Sequence, residues 1–597
     1  MNTQKSDPPS NSRSRRLIGP GLILLAAFVA TAPQLIRGNS CGHDFDFHLV
    51  SWLETQASWH HRVFYPHWAQ SANFYAGEPR FIFYPPLTWM LGAFLGILAP
   101  WKGVPLAITF LFLAGTGLAT RSLARQVIPE GPATLAGCFA LFSGYAMFTA
   151  YERSAFGELA GGFWIPLVLL LILRDRNSTG SLFRRAFDGS TVPLALVVAG
   201  AWLSNAPLGV MACYLLAAVA LTAALQLSSW APVLRATIAV TLGLSLAAIY
   251  LIPAALEQSW VAIRQATDDP GLRIENSWLF SRHSDMALEL HDTELAKVSV
   301  IGVTMIAVAL IALFVSWRRG DLARLRSWWL PLSLVPVAVL LLQFPISLPV
   351  WNLLPKLRFL QFPWRWLVVL EAPMGIFLAS AVWTESRRRR IAVLATCTLF
   401  FLAVSGFSAF VFFQLCDWDD SVPGTLNAFR NGAGYEGTDE YEPPGADDSL
   451  VPMWLPDSCL LAEPKTPLAP EEDDLTPVWH KENGVCDATF PVTPYHGRAA
   501  ADHIRIHAET PHAGFLVLHL RSYPAWQVKI NGERVSSLPQ RPDGLIAVPV
   551  PKGSVELAVD WTTTPDTMAG RFISLFAVVL VAGLYFVERR LTPPRLS

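Results

Sequence analysis

Residues 17–48 read LIGPGLILLAAFVATAPQLIRGNSCGHDFDFH, an apolar run from Leu17 to Ile36 followed closely by His43, Asp44, Asp46 and His48. At 1.5 Å per residue the run reaches roughly 30 Å, the thickness of a bilayer's hydrocarbon core. It is expected to cross a membrane and to deliver two carboxylates and two imidazoles to the far surface. Around them stand Trp52, Trp59, Tyr65, Trp68, Tyr75 and Trp89, with Phe83-Tyr84-Pro85-Pro86 at the exit of the segment. Aromatics in this number line a cavity or mark headgroup level on an interfacial helix, and spacing alone fits both.

The rest of the chain repeats the apolar theme. With 52% hydrophobic and 15% charged residues over 597 positions, and a mean hydropathy of +0.37, it is too apolar for one soluble core. A polytopic helical membrane protein is expected. The net charge of −1 is made of basic clusters lying between apolar runs, which argues against a nucleic-acid partner.

Those clusters set the expected topology. Lys5, Arg13, Arg15 and Arg16 precede the first run, which lacks a small-residue cleavage site and so reads as an anchor with a cytoplasmic N-terminus. Arg121 and Arg125, Arg174 to Arg185, Arg318 to Arg326 and Arg387 to Arg390 keep to the same side only if residues 87–100 do not cross. That segment is therefore expected to be re-entrant or interfacial. Twelve crossings follow, near 17–36, 104–120, 131–150, 159–173, 191–203, 206–227, 233–252, 298–316, 328–346, 366–384, 391–413 and 572–587, with both termini inside.

The expected organisation is a tail at 1–16, a membrane domain at 17–413 with outer loops 37–102, 151–158, 254–297 and 347–365, and a separate outer region at 414–570. The first part of that region, 414–497, is acidic: residues 417–474 hold 15 Asp or Glu against Arg430 and Lys465, and their Pro and Gly predict loops. From 498 to 570 the pattern alternates, as in His503 to His507 and Phe515 to Leu520, with turns at Asn531-Gly532 and Lys552-Gly553 that read as hairpins. A small antiparallel β-sandwich is expected there, tethered by a last helix and tail at 571–597. Of seven cysteines, Cys41, Cys416, Cys459 and Cys486 fall outside the spans. They permit three disulfide connectivities or none, Cys459 with Cys486 being the pairing that closes a short loop.

Three elements carry candidate chemistry. The first is the Asp44/Asp46 pair. The second is the turn Tyr151 to Glu158, where Glu152, Arg153 and Glu158 stand between two apolar runs; charges at such depth face a cavity or clamp one another. The third is Phe359 to Trp366, where Pro363 breaks the chain and Arg365 enters the next helix at its start, a phosphate-binding position or an interfacial anchor. Arg153, Arg282, Lys297, Lys356, Arg358 and Arg365 are more cations than outer loops usually hold, which points to an anion at that face. His43 and His48 have no third partner, so zinc is not supported.

An acidic DxD-like motif in the first outer loop, an aromatic stretch ending in FYPP, a second acidic outer turn and many spans together resemble the GT-C glycosyltransferase superfamily. RSAFGE, LRFLQFPWRW, GYEGTDEYEP and YPAWQVKINGERV further resemble bacterial membrane proteins labelled "6-pyruvoyl-tetrahydropterin synthase-related" and their YfhO-type relatives. Pterin synthesis itself needs a three-histidine zinc site and a catalytic cysteine that the sequence lacks.

What the superfamily resemblance implies is sugar transfer from a polyprenyl-phosphate donor to a glycan or lipid acceptor of the cell envelope at the outer membrane face. Asp44 or Asp46 would be the base, Glu152 and Glu158 would orient acceptor or metal, and Arg153, Arg358, Arg365 and His48 would hold the donor phosphate. Tyr84 and Trp68 would contact sugar. Asp44 and Asp46 are also spaced to bind Mg²⁺ or Mn²⁺, and the resemblance leaves metal dependence open. The competing expectation is a transporter, flippase or assembly factor whose path the same acids line, or a catalytically dead scaffold.

Overall fold

The computed structural model describes residues 11–174, 182–187, 189–320, 326–469, 477–493 and 502–591; Lys5, Arg176 and Arg324 lie outside them. Among the described residues seven helices are long and apolar enough to cross a membrane: Trp101–Ala124, Phe156–Leu173, Ala206–Leu227, Met286–Arg318, Pro363–Val382, Arg387–Val411 and Pro565–Arg590. Three helix pairs, bent by 41°, 76° and 100° at short breaks, raise the number to ten if each is one span. The 100° bend falls where Pro345 opens a new turn, since proline has no N–H to continue a helical ladder. The protein is thus multi-pass, with seven to ten spans by length in place of the twelve expected.

The difference lies in two short helices. The first apolar run is not one continuous helix: it breaks at Thr31 ahead of Pro33, leaving Leu17–Ala30 as the apolar part. Thr191–Ser204 is equally short. Pro86–Leu98 is a third short helix, and at roughly 20 Å it falls well below bilayer thickness. It packs on the helix Phe45–His60, where the Trp52 ring lies so close to Gly92 that any Cβ there would meet it at 2.4 Å. The spans' outer surfaces are apolar: Leu225, Phe410 and Phe576 all point away from the protein, which suits lipid and no aqueous solvent.

Eight strands complete the chain: β1 Ser458–Leu461, β2 Ala488–Thr489, β3 His503–Thr510, β4 Gly514–Arg521, β5 Trp526–Ile530, β6 Glu533–Arg534, β7 Leu545–Val550 and β8 Gly553–Trp561. They form two antiparallel sheets, ordered β2-β1-β4-β7 and β3-β8-β5-β6. Alternate residues of both sheets, among them Ile506, Leu516, Leu518, Val548 and Leu557, meet in one buried core. β1 and β2 come from the acidic stretch, ahead of residue 498, and Val451, Leu455 and Leu468 of that stretch pack on the outer face of the first sheet with Val517 and Ala547.

Asn531 and Gly532 have φ of 50° and 85°, the left-handed pair that a tight hairpin requires, and they join the paired strands β5 and β6. Lys552-Gly553 is not a hairpin. β7 and β8 belong to different sheets, so the chain arches across the core there, and the same holds between β3 and β4. Two disulfides are formed. Cys459–Cys486 ties the acidic stretch to itself, and Cys41–Cys416 ties the first outer loop to the start of that stretch.

The sandwich sits on the membrane domain through an aromatic cluster, where Trp68 meets Trp526 at 5.4 Å and Trp561 at 5.7 Å between ring centres. Ile82, Phe83 and Val261 of the membrane domain belong to the same buried cluster.

Candidate functional site

A cavity of about 670 Å³ opens among the segments that join the helices. Parts of residues 43–48 (His43, Asp44, Phe47 and His48, without Asp46), 83–85, 153–158, 205–207, 271–294, 359–365 and 438–441 wall it, so each of the segments expected on the outer side contributes to it.

Backbone contacts lace the two acidic segments together. The Asp44 amide donates to the Arg153 carbonyl at 2.9 Å, and the Gly42 amide donates to the Ser154 hydroxyl at 3.2 Å. Ser154 in turn donates to the Ser40 carbonyl at 2.7 Å. Gly42 lies directly on the 152–153 peptide, where an added Cβ would stand 2.3 Å from the Glu152 carbonyl oxygen. Asn205 shapes another wall: its side chain accepts from the Leu208 amide and starts the helix Ala206–Leu227, with Pro207 in the first turn.

Charges gather around Arg153, which is 5% exposed. Its Nη1 donates to Glu158 Oε2 at 2.8 Å, and Nη2 and Nε stand 3.6 Å from Asp44 and Glu294. Glu158 also accepts from the Tyr145 hydroxyl and faces Arg365 Nε at 3.3 Å. Arg365 donates through Nη1 to the Leu360 carbonyl and to Gln361 Oε1, and its guanidinium lies over the Phe362 ring. A clamp between Arg153 and Glu158 therefore exists, but it is one contact of a network that two further acids and a second arginine share.

Not every expected site residue comes here. Asp46 is exposed and takes no part in the cavity wall, because residues 44–48 form the beginning of a helix and not a loop. Side chains two apart on a helix point nearly opposite ways, so Asp44 faces the cavity and Asp46 leaves it. Glu152 turns to Lys297, at 2.5 Å, and Arg358 pairs with Glu275 at the surface. Trp68 is buried in the sandwich junction.

Tyr84 and His48 do line the cavity. Burial holds the His48 imidazole down at about 4, and neither ring nitrogen has a hydrogen-bond partner. His48 is therefore neutral near pH 7 and supplies no positive charge for a phosphate.

The structure adds Glu294, His291, Gln361 and Glu440 to the wall. Glu440 had a signal in the glycines of GYEGTDEYEP. Gly434 has φ of 73°, and a Cβ on Gly437 would collide with the Asn73 amide at 2.0 Å. The segment is thus pressed against residues 72–80, where the Thr438 amide donates to Glu78 Oε2 at 2.8 Å. Burial, with Glu78 and Asp439 nearby, pushes the Glu440 carboxyl up to about 7.

For Mg²⁺ or Mn²⁺ the expected pair does not fit. Asp44 and Asp46 diverge, and the position among Asp44, Glu158 and Glu294 that a cation would take is filled by the Arg153 guanidinium. Elsewhere among the described residues Asp439, Glu442 and Asp448 bring carboxylate oxygens within 4.8 Å of one another. Burial raises Glu442 to about 8 and a hydrogen bond links it to Asp448, while the buried Arg521 guanidinium stands 4.0 Å from Glu442.

Fold and site together define a multi-pass helical membrane protein with a charged cavity lined by its inter-helix segments and residues 438–441. No family model and no curated protein sequence matches the chain, so the finer resemblance to YfhO-type proteins has no family match behind it. Among solved structures it is similar to the Archaeoglobus fulgidus oligosaccharyltransferase in complex with Zn and sulfate, at 12% identity and a TM-score of 0.40 over 71% of this chain and 58% of that one. It is also similar to the arabinofuranosyltransferase AftD from Mycobacteria, at 18% identity and 0.43 over 72% and 29%. A third is ArnT from Cupriavidus metallidurans bound to undecaprenyl phosphate, at 15% and 0.28 over 67% and 78%. The chain spans little more than half the length of the first of these and under a third of the second.

Proposed function

We propose that the protein is a membrane glycosyltransferase that takes sugar from a polyprenyl-phosphate donor and passes it to an acceptor of the cell envelope, on the extracytoplasmic side of the plasma membrane. The observation that carries this reading is the cavity itself. The buried Arg153, the part-buried Arg365 and several carboxylates face one space lined by the segments read as outer loops.

Arg365 is the better placed of the two to hold the donor phosphate, because three acids already engage Arg153. Asp44 and Glu294 keep Arg153 charged and in place. Hydroxyls of the sugar are suited to Tyr84, Gln361 and Asn205. The basic ends of the helices support this orientation: Arg318 closes its helix and Arg387 opens its own, as expected if those ends and both termini are cytoplasmic.

Extraction of lipid from the affinity-purified protein, followed by mass spectrometry, is expected to yield a polyprenyl-phosphate sugar, and incubation with native membranes is expected to release free polyprenyl phosphate. Retention of lipid without cleavage would instead identify a transporter, flippase or assembly factor.

A further inference from the structure

A second space adjoins the first. It is an open polar groove of about 1340 Å³ between residues 258–272 and 439–445, and Leu272, Phe359 and Glu440 belong to the walls of both. Resting on the glycosyltransferase reading, we infer that this groove receives a glycan acceptor and that Glu440, at its junction with the donor cavity, takes the proton from the acceptor hydroxyl.

Three observations carry the inference. The groove is larger than the roughly 300–1,000 Å³ that encloses one small ligand, so it suits several linked sugars better than one. Its lining mixes amide and hydroxyl groups, Gln258, Ser259, Gln265 and Thr267, with the apolar faces of Ile263 and Phe359, the combination that binds a sugar by its hydroxyls and its ring face. Asp268, Asp269, Asp439 and Glu440 outnumber Arg264, which selects a neutral chain over a polyanionic one.

Glu440 is also the cavity carboxylate without an ion pair among the described residues; Asp44, Glu158 and Glu294 are all held by Arg153. A paired carboxylate is a poor base, because the guanidinium stabilises its charged form. In the transfer the acceptor oxygen bonds to the anomeric carbon as its proton passes to the Glu440 carboxylate. The bond from the anomeric carbon to the phosphate oxygen breaks, and the lipid phosphate leaves with the electron pair.

The charged groups that act on Glu440 are Glu78, Asp439 and Arg80, and Arg264, Asp268 and Asp269 line the same groove. Its position near neutrality matches the requirement of a general base at physiological pH.

The test uses full-length protein in vesicles with radiolabelled glucose, mannose or arabinose carried on undecaprenyl phosphate. Membranes from native cells lacking the gene supply the acceptor. Transfer into glycan by Glu440→Gln is expected to fall by on the order of 10² or more, with donor affinity within about twofold of wild type and partial rescue in Glu440→Asp. The wild-type rate is expected to climb with pH until about 7 and then level, and the Glu440→Gln rate to stay flat. Thr267→Trp, which fills the groove, is expected to lose transfer while donor affinity persists.

Wild-type transfer that both Glu440→Gln and Thr267→Trp match would overturn groove and base and leave the transferase reading standing. Label that enters lipid or protein and no glycan would overturn the acceptor class. A wild-type protein that neither binds nor cleaves any donor would overturn both readings.

Discussion

Two buried arginine–glutamate pairs lie near each other in this molecule and are built differently. Arg80 and Glu78 are 2% and 0% exposed, and their contacts are complete. Arg80 bonds Glu78 at 2.5 Å, Ser51 and Thr438, and lies over the rings of Phe47 and Tyr435; Glu78 also accepts from the Thr438 amide. Arg153 and Glu158 are almost as buried, but Arg153 reaches two further acids only at 3.6 Å, and Glu158 is shared with a second arginine across a cavity. A pair saturated by fixed partners holds two segments together, whereas one whose glutamate is shared with a second arginine beside an open space leaves that second arginine, Arg365, for a ligand. The first pins the segment that presents Glu440; the second faces the proposed donor.

The largest expected effect breaks the saturated pair. Arg80→Ala leaves Glu78 charged and without its cation in the interior, at a cost of about 3–5 kcal/mol, and is expected to abolish monodisperse protein on size exclusion in detergent. If that variant folded and melted like wild type, the distinction between the two pairs would fail.

Arg365→Lys keeps the charge but loses the planar fork, so donor affinity is expected to drop by about 1–3 kcal/mol with the melting temperature nearly unchanged. Titration of folded protein with a polyprenyl-phosphate sugar measures it, and unchanged affinity would remove Arg365 from the site.

The smallest effect is expected at Asp46. Because it points away from the cavity, Asp46→Asn should transfer sugar at close to the wild-type rate and change stability by less than about 0.5 kcal/mol. Asp44→Asn should lower the rate, and equal losses in both variants would restore the DxD pair as a unit.

Much of the architecture was legible in the chain because hydrophobic length and alternation are local properties. The long apolar runs became helices, and the alternating segment after residue 498 became strands. Breaks such as the one at Thr31 escaped notice because a run's hydropathy does not record where its hydrogen-bond ladder stops. The site was half legible. Charged residues between apolar runs had to face one another or a cavity, which brought out Asp44, Arg153, Glu158 and Arg365. Asp46, Glu152 and Arg358 carried the same signal and proved to face elsewhere, since composition does not say which way a side chain points at a helix start.

What the sequence by itself determined was the class of molecule, a bundle of apolar helices with an outer β-rich region, because each element's burial follows from its own periodicity. Only the tertiary structure decided which cysteines join, that β7 arches over to a different sheet from β8, and that Glu440, far along the chain from Asp44, stands at the same cavity. Those are contacts between distant segments, fixed by packing such as that of Gly437 on Asn73, and no local pattern encodes them.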